Sequence, residues 1–231
     1  ARNHTATHLL HKALRQVLGD HAQQRGSLVS PERLRFDFAH LNPLSDSEMR
    51  EIERLVNAAV RANHAVASSI LTQDEARAAG ATMLFGEKYG DVVHMISVGD
   101  AFSRELCGGT HVTATGQIGL FVLVSESSIG AGLRRIEALT GRGAETYVRE
   151  RLSILNDVTR RLQAQPSEIM TKLDVLAAEL SAAHREIERL QREAAKAQIA
   201  ALLQNVQQVD VRDIGGVKLN LARFFKLTSV V

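Results

Sequence analysis

The run VVHMISVGDAFSRELCGGTHVTATGQIGLFVLVSESSIGAGLRRIEAL, residues 92–139, decides the fold class. Four stretches in it have strand character: 92–98, 101–106, 118–125 and 133–139. Each is rich in β-branched or large apolar residues, and turn-forming residues lie between them. Helical patterns precede them, so strands follow one another instead of alternating singly with helices. That order predicts an α+β fold, an antiparallel sheet with helices packed on one face.

Toward the N-terminus, a helix is expected to open with Asn3 as N-cap and to end at Leu18, with Gly19 just beyond. Residues 34–39, LRFDFA, alternate with the period of a half-buried strand. Ser45-Asp46-Ser47-Glu48 has the form of a capping box, and the amphipathic helix after it turns Ile52, Leu55, Val56, Ala59 and Val60 inward. Residues 66–71 read as another strand. Thr72-Gln73-Asp74-Glu75 is a second capping box, opening a short helix that stops at Gly80.

Toward the C-terminus, composition shifts near residue 143. Thirteen of the 16 glycines precede that position, and none lies between Glu145 and Val206. Two helices are expected here, one over 144–162 and one from Pro166-Ser167, where proline suits a first helical turn. In the second, Ile169, Leu173, Leu176, Leu180, Ala183, Ile187, Leu190, Ala194, Ala197 and Ala201 recur in 4-3 alternation, a coiled-coil seam. The short break before Pro166 favours an antiparallel helical hairpin. Beyond Gly215-Gly216, residues 217–225 read as a strand opening a further domain. The expected divisions are 1–143, 144–206 and 207–231.

With 231 residues and 45% hydrophobic content, the chain can bury a substantial core. One cysteine excludes an internal disulfide and makes a reducing cytoplasm the natural compartment. No run of eighteen apolar residues suggests a membrane span, and no secretory signal opens the chain. The start at Ala1 leads us to expect a piece of a longer protein. A formal net charge of +2 is too balanced to announce a nucleic-acid binder. Histidine is the outlier: eight of nine precede residue 112.

His4-Thr5-Ala6-Thr7-His8 puts two imidazoles one helical turn apart on the same face. That spacing can offer two nitrogens to one metal. Thr5 stands where a zincin metalloprotease needs a glutamate general base, which argues against that class. His11 continues the same face and reads as a solvated or core histidine in preference to a ligand. Cys107-Gly108-Gly109-Thr110-His111 holds a thiol and an imidazole at the ends of a tight loop after an expected strand. The two glycines there allow close approach of another group. Together His4, His8, Cys107 and His111 form a Cys-His₃ set, the ligand types zinc prefers.

These residues resemble the editing domain of the alanyl-tRNA synthetase family. The resemblance extends to Asn3 through Leu10, Gly26-Ser27-Leu28-Val29, Leu34 through Phe38, Leu84 through Asp91, Ser103 through Val112, and Glu126 through Gly141. It covers residues 1–143, and the helices that follow resemble the linker of the same enzymes. The freestanding alanyl-tRNA editing proteins and the threonyl-tRNA synthetase editing domain share the four-residue signature. The aminoacylation domains of the family are absent from this chain.

The resemblance implies hydrolysis of tRNA(Ala) mischarged with serine or glycine. It implies Zn²⁺ at His4, His8, Cys107 and His111, with these residues also catalytic. Four protein ligands would close a zinc site, so three chemistries stay open: metal-assisted hydrolysis, water positioned by the His/Cys set, and an acyl-enzyme on Cys107. Rejecting alanine while accepting serine calls for polar groups that a missing hydroxyl would leave unpaired. Gln24 is the expected catalytic and substrate contact, with Thr7 and Thr110 behind it. Arg134, Arg135 and Arg142 are the expected tRNA-binding residues, followed by Arg104 and Lys88. A homo-oligomer formed through the helices or the absent C-terminal region fits the same family. The alternatives are a freestanding editing protein and a non-catalytic zinc-bearing dimerisation module.

Overall fold

The computed structural model describes residues 1–82, 90–100, 102–204, 209–214 and 217–222, with side chains up to residue 203. The chain forms two compact units, Ala1–Ile154 and Leu155–Val231. The class is α+β: helices packed on antiparallel sheets, followed by one long helix.

The first unit opens with α1 (Arg2–Leu18), then β1 (Gln24–Val29), β2 (Leu34–Ala39), α2 (Asp46–Arg61), β3 (Val66–Thr72), α3 (Gln73–Ala78), β4 (Val92–Val98) and β5 (Ser103–Leu106). A 3-10 turn (Thr115–Ile118), β6 (Phe121–Gly130), β7 (Leu133–Thr140) and α4 (Gly141–Leu162) follow. Among the described residues of this unit the strands form two sheets, a four-stranded one ordered β1-β2-β7-β6 and a three-stranded one ordered β3-β4-β5. All pairings within them are antiparallel.

The principal core lies where α1 and α2 meet the four-stranded sheet. Leu9, Leu10 and Leu14 of α1 and Ile52 and Val56 of α2 are fully buried with Phe36, Phe38, Phe121 and Ile136. The amphipathic reading of α2 holds: Ile52, Val56, Ala59 and Val60 are buried, and the Ser45–Glu48 capping box is formed in both directions. A smaller core of Ala76, Val93, Met95 and Leu106 joins α3 to the three-stranded sheet. The Thr72–Glu75 capping box is formed as expected.

Four expectations are corrected. Asn3 is not an N-cap: α1 begins at Arg2, and Asn3 is buried inside it. Its side chain instead donates to the Ser30 carbonyl at 2.8 Å and accepts from Thr140 Oγ1 at 2.6 Å. β1 was not foreseen, because Arg25, Gly26 and Ser27 are poor strand formers. It is an edge strand held by its ladder to β2. The strand expected over 118–125 begins only at Phe121, because Ile118 is buried through the 3-10 turn. The strand expected from 101 begins at Ser103, and Ala101 lies outside the described residues.

The second unit holds the end of α4, a proline-initiated turn over Pro166–Glu168, α5 (Ile169–Gln204), and a hairpin of β8 (Val209–Ile214) with β9 (Val217–Ala222). α5 is 36 residues long. Leu173, Leu176, Leu180, Ile187 and Leu190 of its heptad seam are exposed. Gly215, Gly216 and residues 223–225 lie outside the described residues. No helix among the described residues is long and apolar enough to cross a membrane.

Candidate functional site

α1 supplies half of the site because it is buried on its polar side as well as its apolar one. Asn3, Thr5, Thr7, His8 and His11 are all buried alongside its leucines. Helical periodicity stacks His4 and His8 with ring centroids 5.6 Å apart. The segment leaving β5 supplies the other half. Cys107 is pinned by its backbone N–H to the His94 carbonyl at 2.9 Å. His111 then comes back over α1, its ring 4.4 Å from His4 and 5.0 Å from His8.

The ligand atoms of His4, His8, Cys107 and His111 all lie within 4.8 Å of one another. Cys107 Sγ is 3.2 Å from His4 Nε2. Nε2 of His8 and Nε2 of His111 are buried and have no hydrogen-bond partner in the protein. Two orphaned imidazole nitrogens beside a thiol are costly unless something coordinates them. The donor set therefore fits a metal ion, and softness of the thiol favours a zinc-type ion over a hard one.

The cluster polarises its own members. Burial pushes the Cys107 thiol up, but the surrounding imidazoles of His111, His4 and His8 and the Gly109 backbone outweigh it and hold the thiol down at about 3. Burial lowers His8, while the neighbouring Cys107 and Glu105 raise it to about 9 in the metal-free protein. Burial raises Glu105, and its hydrogen bonds to His11 and His8 bring it down to about 2. Burial depresses His111 despite the opposing pull of Cys107.

Of the glycine pair, Gly109 matters for the close approach that was expected. A β-carbon there would meet the His4 ring, whereas one on Gly108 would meet nothing within 4 Å.

A cleft of about 740 Å³ opens against this cluster. Asn3, His4, Val29, Ser30, Pro31, Gly109, Thr110, Thr140 and Arg142 are among its walls. His4 is thus shared between cleft and cluster. Thr110 and Arg142 are exposed at the cleft, where a substrate would meet them.

The other expected site residues are placed differently. Gln24 is half-buried at the start of β1 opposite Phe38; the cleft is lined by Val29, at the opposite end of that strand. Thr7 is buried, and its hydroxyl donates to the Asn3 carbonyl at 2.9 Å, so it has no free proton for a ligand. Arg134 is buried against Glu126 in a bidentate ion pair. Arg135 is bound to both oxygens of Asp37 at 2.7 and 2.8 Å. Both charges are paired within the sheet. Arg104 donates to the Ala79 and Asp100 carbonyls. Lys88 and most of the 84–91 block lie outside the described residues.

Sequence reasoning missed Glu105 and Thr5. Glu105 accepts from His8 Nδ1 at 2.6 Å and from His11 Nδ1 at 3.2 Å. The two-residue period of a strand was the available signal, since it puts Glu105 on the face of Cys107. Thr5 Oγ1 lies 3.1 Å from His111 Nδ1. His11 is the core histidine expected, buried with its ring 5.6 Å from Phe36.

Comparison with known proteins places this geometry. Residues 93–137 match the family model described as the threonyl and alanyl tRNA synthetase second additional domain. The chain is 49% identical to the alanine–tRNA ligase of Roseiflexus castenholzii, over 91% of the chain and 26% of that protein. It is 51% identical to that of Carboxydothermus hydrogenoformans, over 95% of the chain and 24% of the relative. With that of Dehalococcoides mccartyi it shares 48% identity over the whole chain and 26% of the relative. The chain therefore spans about a quarter of the length of the curated relatives it matches.

Proposed function

We propose that this chain, similar to the region of alanine–tRNA ligases that carries the second additional domain, holds a hydrolytic editing module in residues 1–143. The reaction is cleavage of the ester that joins serine or glycine to the terminal ribose of tRNA(Ala). One observation carries this reading: a His/Cys cluster able to hold a metal ion shares His4 with the wall of an open cleft.

His4, His8, Cys107 and His111 would hold Zn²⁺. When bound, the ion would supply Lewis acidity toward the ester carbonyl and an acidified water. The cleft would seat the terminal ribose with its ester beside His4. Thr110, exposed on that wall, would hydrogen-bond the serine hydroxyl; Gln24, at the other end of β1 from the cleft-lining Val29, is given no part in it. A site made to pair a hydroxyl favours serine over alanine, whose methyl leaves its polar groups unpaired; glycine, with no β-carbon, leaves room for a water in that place. Arg142 would take a phosphate at the cleft mouth. The helices over 144–206 are proposed as the linker following the module, with residues 207–231 opening a further domain. The lone cysteine supports a cytoplasmic location.

The test is deacylation by the full chain, with and without chelation, of tRNA(Ala) carrying serine, glycine or alanine. Hydrolysis of the first two, sparing of the third, and loss with Cys107→Ala alongside bound zinc are expected. Full activity in a metal-free Cys107→Ala protein would sink the metal reading. No hydrolysis of either misacylated tRNA would favour the non-catalytic module.

A further inference from the structure

We propose that Glu105 is a positioning residue: its two carboxylate oxygens hold the Nδ1 protons of His8 and His11, which leaves Nε2 of His8 bare and facing the ligand cluster. The proposal rests on the metal reading of that cluster.

Glu105 is buried at 4% exposure, two residues before Cys107. Oε2 lies 2.6 Å from His8 Nδ1 and Oε1 lies 3.2 Å from His11 Nδ1. Ser103 Oγ donates to Oε1 at 3.1 Å. An ionised carboxylate only accepts, so each of these three partners must donate to it. The Nδ1 proton of His8 is thereby fixed on the side away from Cys107 and His111. Nε2 of His8, buried and with no protein partner, is the nitrogen left to coordinate.

The i, i+3 spacing of His8 and His11 lets one carboxylate serve both rings. His11 then acts as the outer brace: its ring packs on Phe36, and its donated proton keeps Glu105 from turning away from His8. Thr5 does the same for His111 without a charge. Its hydroxyl proton is directed to the Ala1 carbonyl at 3.3 Å, and it accepts from Val112 N–H at 3.2 Å. Toward His111 Nδ1, at 3.1 Å, it can then only accept. Both second partners leave an Nε2 turned to the same point.

A carboxylate behind a ligating imidazole fixes its orientation and raises its basicity, and losing it typically weakens metal binding by roughly 10–100-fold. In Glu105→Gln the amide carries one oxygen and one donor nitrogen. One of the two histidines then meets a donor, and the charge is gone for both.

The experiment measures zinc affinity of the full chain by chelator competition for wild type, Glu105→Gln and Ser103→Ala, with thermal melting followed in parallel. Affinity should fall roughly 10–100-fold in Glu105→Gln and stay near wild type in Ser103→Ala, which removes only a neutral donor. Tight binding by wild type with unchanged affinity in Glu105→Gln overturns the proposal and leaves the metal centre standing. Absence of zinc binding by wild type fails the metal reading itself and takes the proposal with it. Should Glu105→Gln not fold, the ¹⁵N spectrum of the imidazoles in zinc-loaded wild type decides. His8 bound through Nε2 with Nδ1 protonated supports the assignment; His8 bound through Nδ1 overturns it.

Discussion

A β-carbon built on Gly109 would run into Cε1 and Nδ1 of the His4 ring. The loop between Cys107 and His111 reaches α1 only because position 109 has no side chain. Real β-carbons do not sit so close to a ring, so Gly109→Ala must drive His4 out of the cluster or lift the loop from the helix. We expect a loss of metal affinity and deacylation of more than about tenfold, with helix content kept, since neither group is part of the main core. Gly108→Ala, next in sequence and facing open space, should be close to neutral. Chelator competition on the two variants checks this; equal affinities would remove Gly109 from the argument.

Cys107 gives a prediction with a definite pH sign. Three imidazoles and a backbone N–H around it hold its thiol at about 3 against the upward push of burial. In metal-free protein it should therefore stay thiolate from neutral pH down to about that value. Its alkylation by iodoacetamide should be nearly level between pH 8 and pH 5, an interval over which an ordinary thiol slows roughly a thousand-fold. Saturating zinc should protect it. As the chain has one cysteine, the mass of the intact protein reports the reaction directly. A rate climbing tenfold per pH unit up to pH 8 would show an unperturbed thiol.

Why the four ligands could be read from sequence and their partners could not is a matter of range. His4 with His8, and Cys107 with His111, are each local pairs with a chemical type rare elsewhere in the chain. Capping at Ser45–Glu48 and Thr72–Glu75 is local as well, so those helix starts are where the sequence puts them. Glu105 and His8 are 97 positions apart, and only the meeting of β5 with α1 makes them a pair. Arg135 is recognisable as a cation, but its partner depends on the β2–β7 register that sets Asp37 opposite it. β1 is a strand through its ladder to β2, a tertiary fact that overrides the weak strand propensity of Arg25-Gly26-Ser27.

The arginines separate structure from binding within a few residues of one another. Arg134 and Glu126 form a pair whose side chains are only 10% and 9% exposed. Arg134→Ala would leave Glu126 buried and unpaired, which costs about 3–5 kcal/mol of stability. Arg142 is exposed on the cleft wall, and Arg142→Ala should shift stability by no more than about 0.5 kcal/mol. Its effect should be on RNA: a higher KM for misacylated tRNA, with the slope of log affinity against log salt reduced by about 0.7–0.9. Urea unfolding and deacylation at two salt concentrations measure both quantities on the same samples. If Arg142→Ala leaves KM and its salt dependence untouched, the tRNA backbone does not cross the cleft mouth. If Arg134→Ala unfolds at the wild-type urea midpoint, its ion pair contributes no net stability and the structural role of that residue is lost.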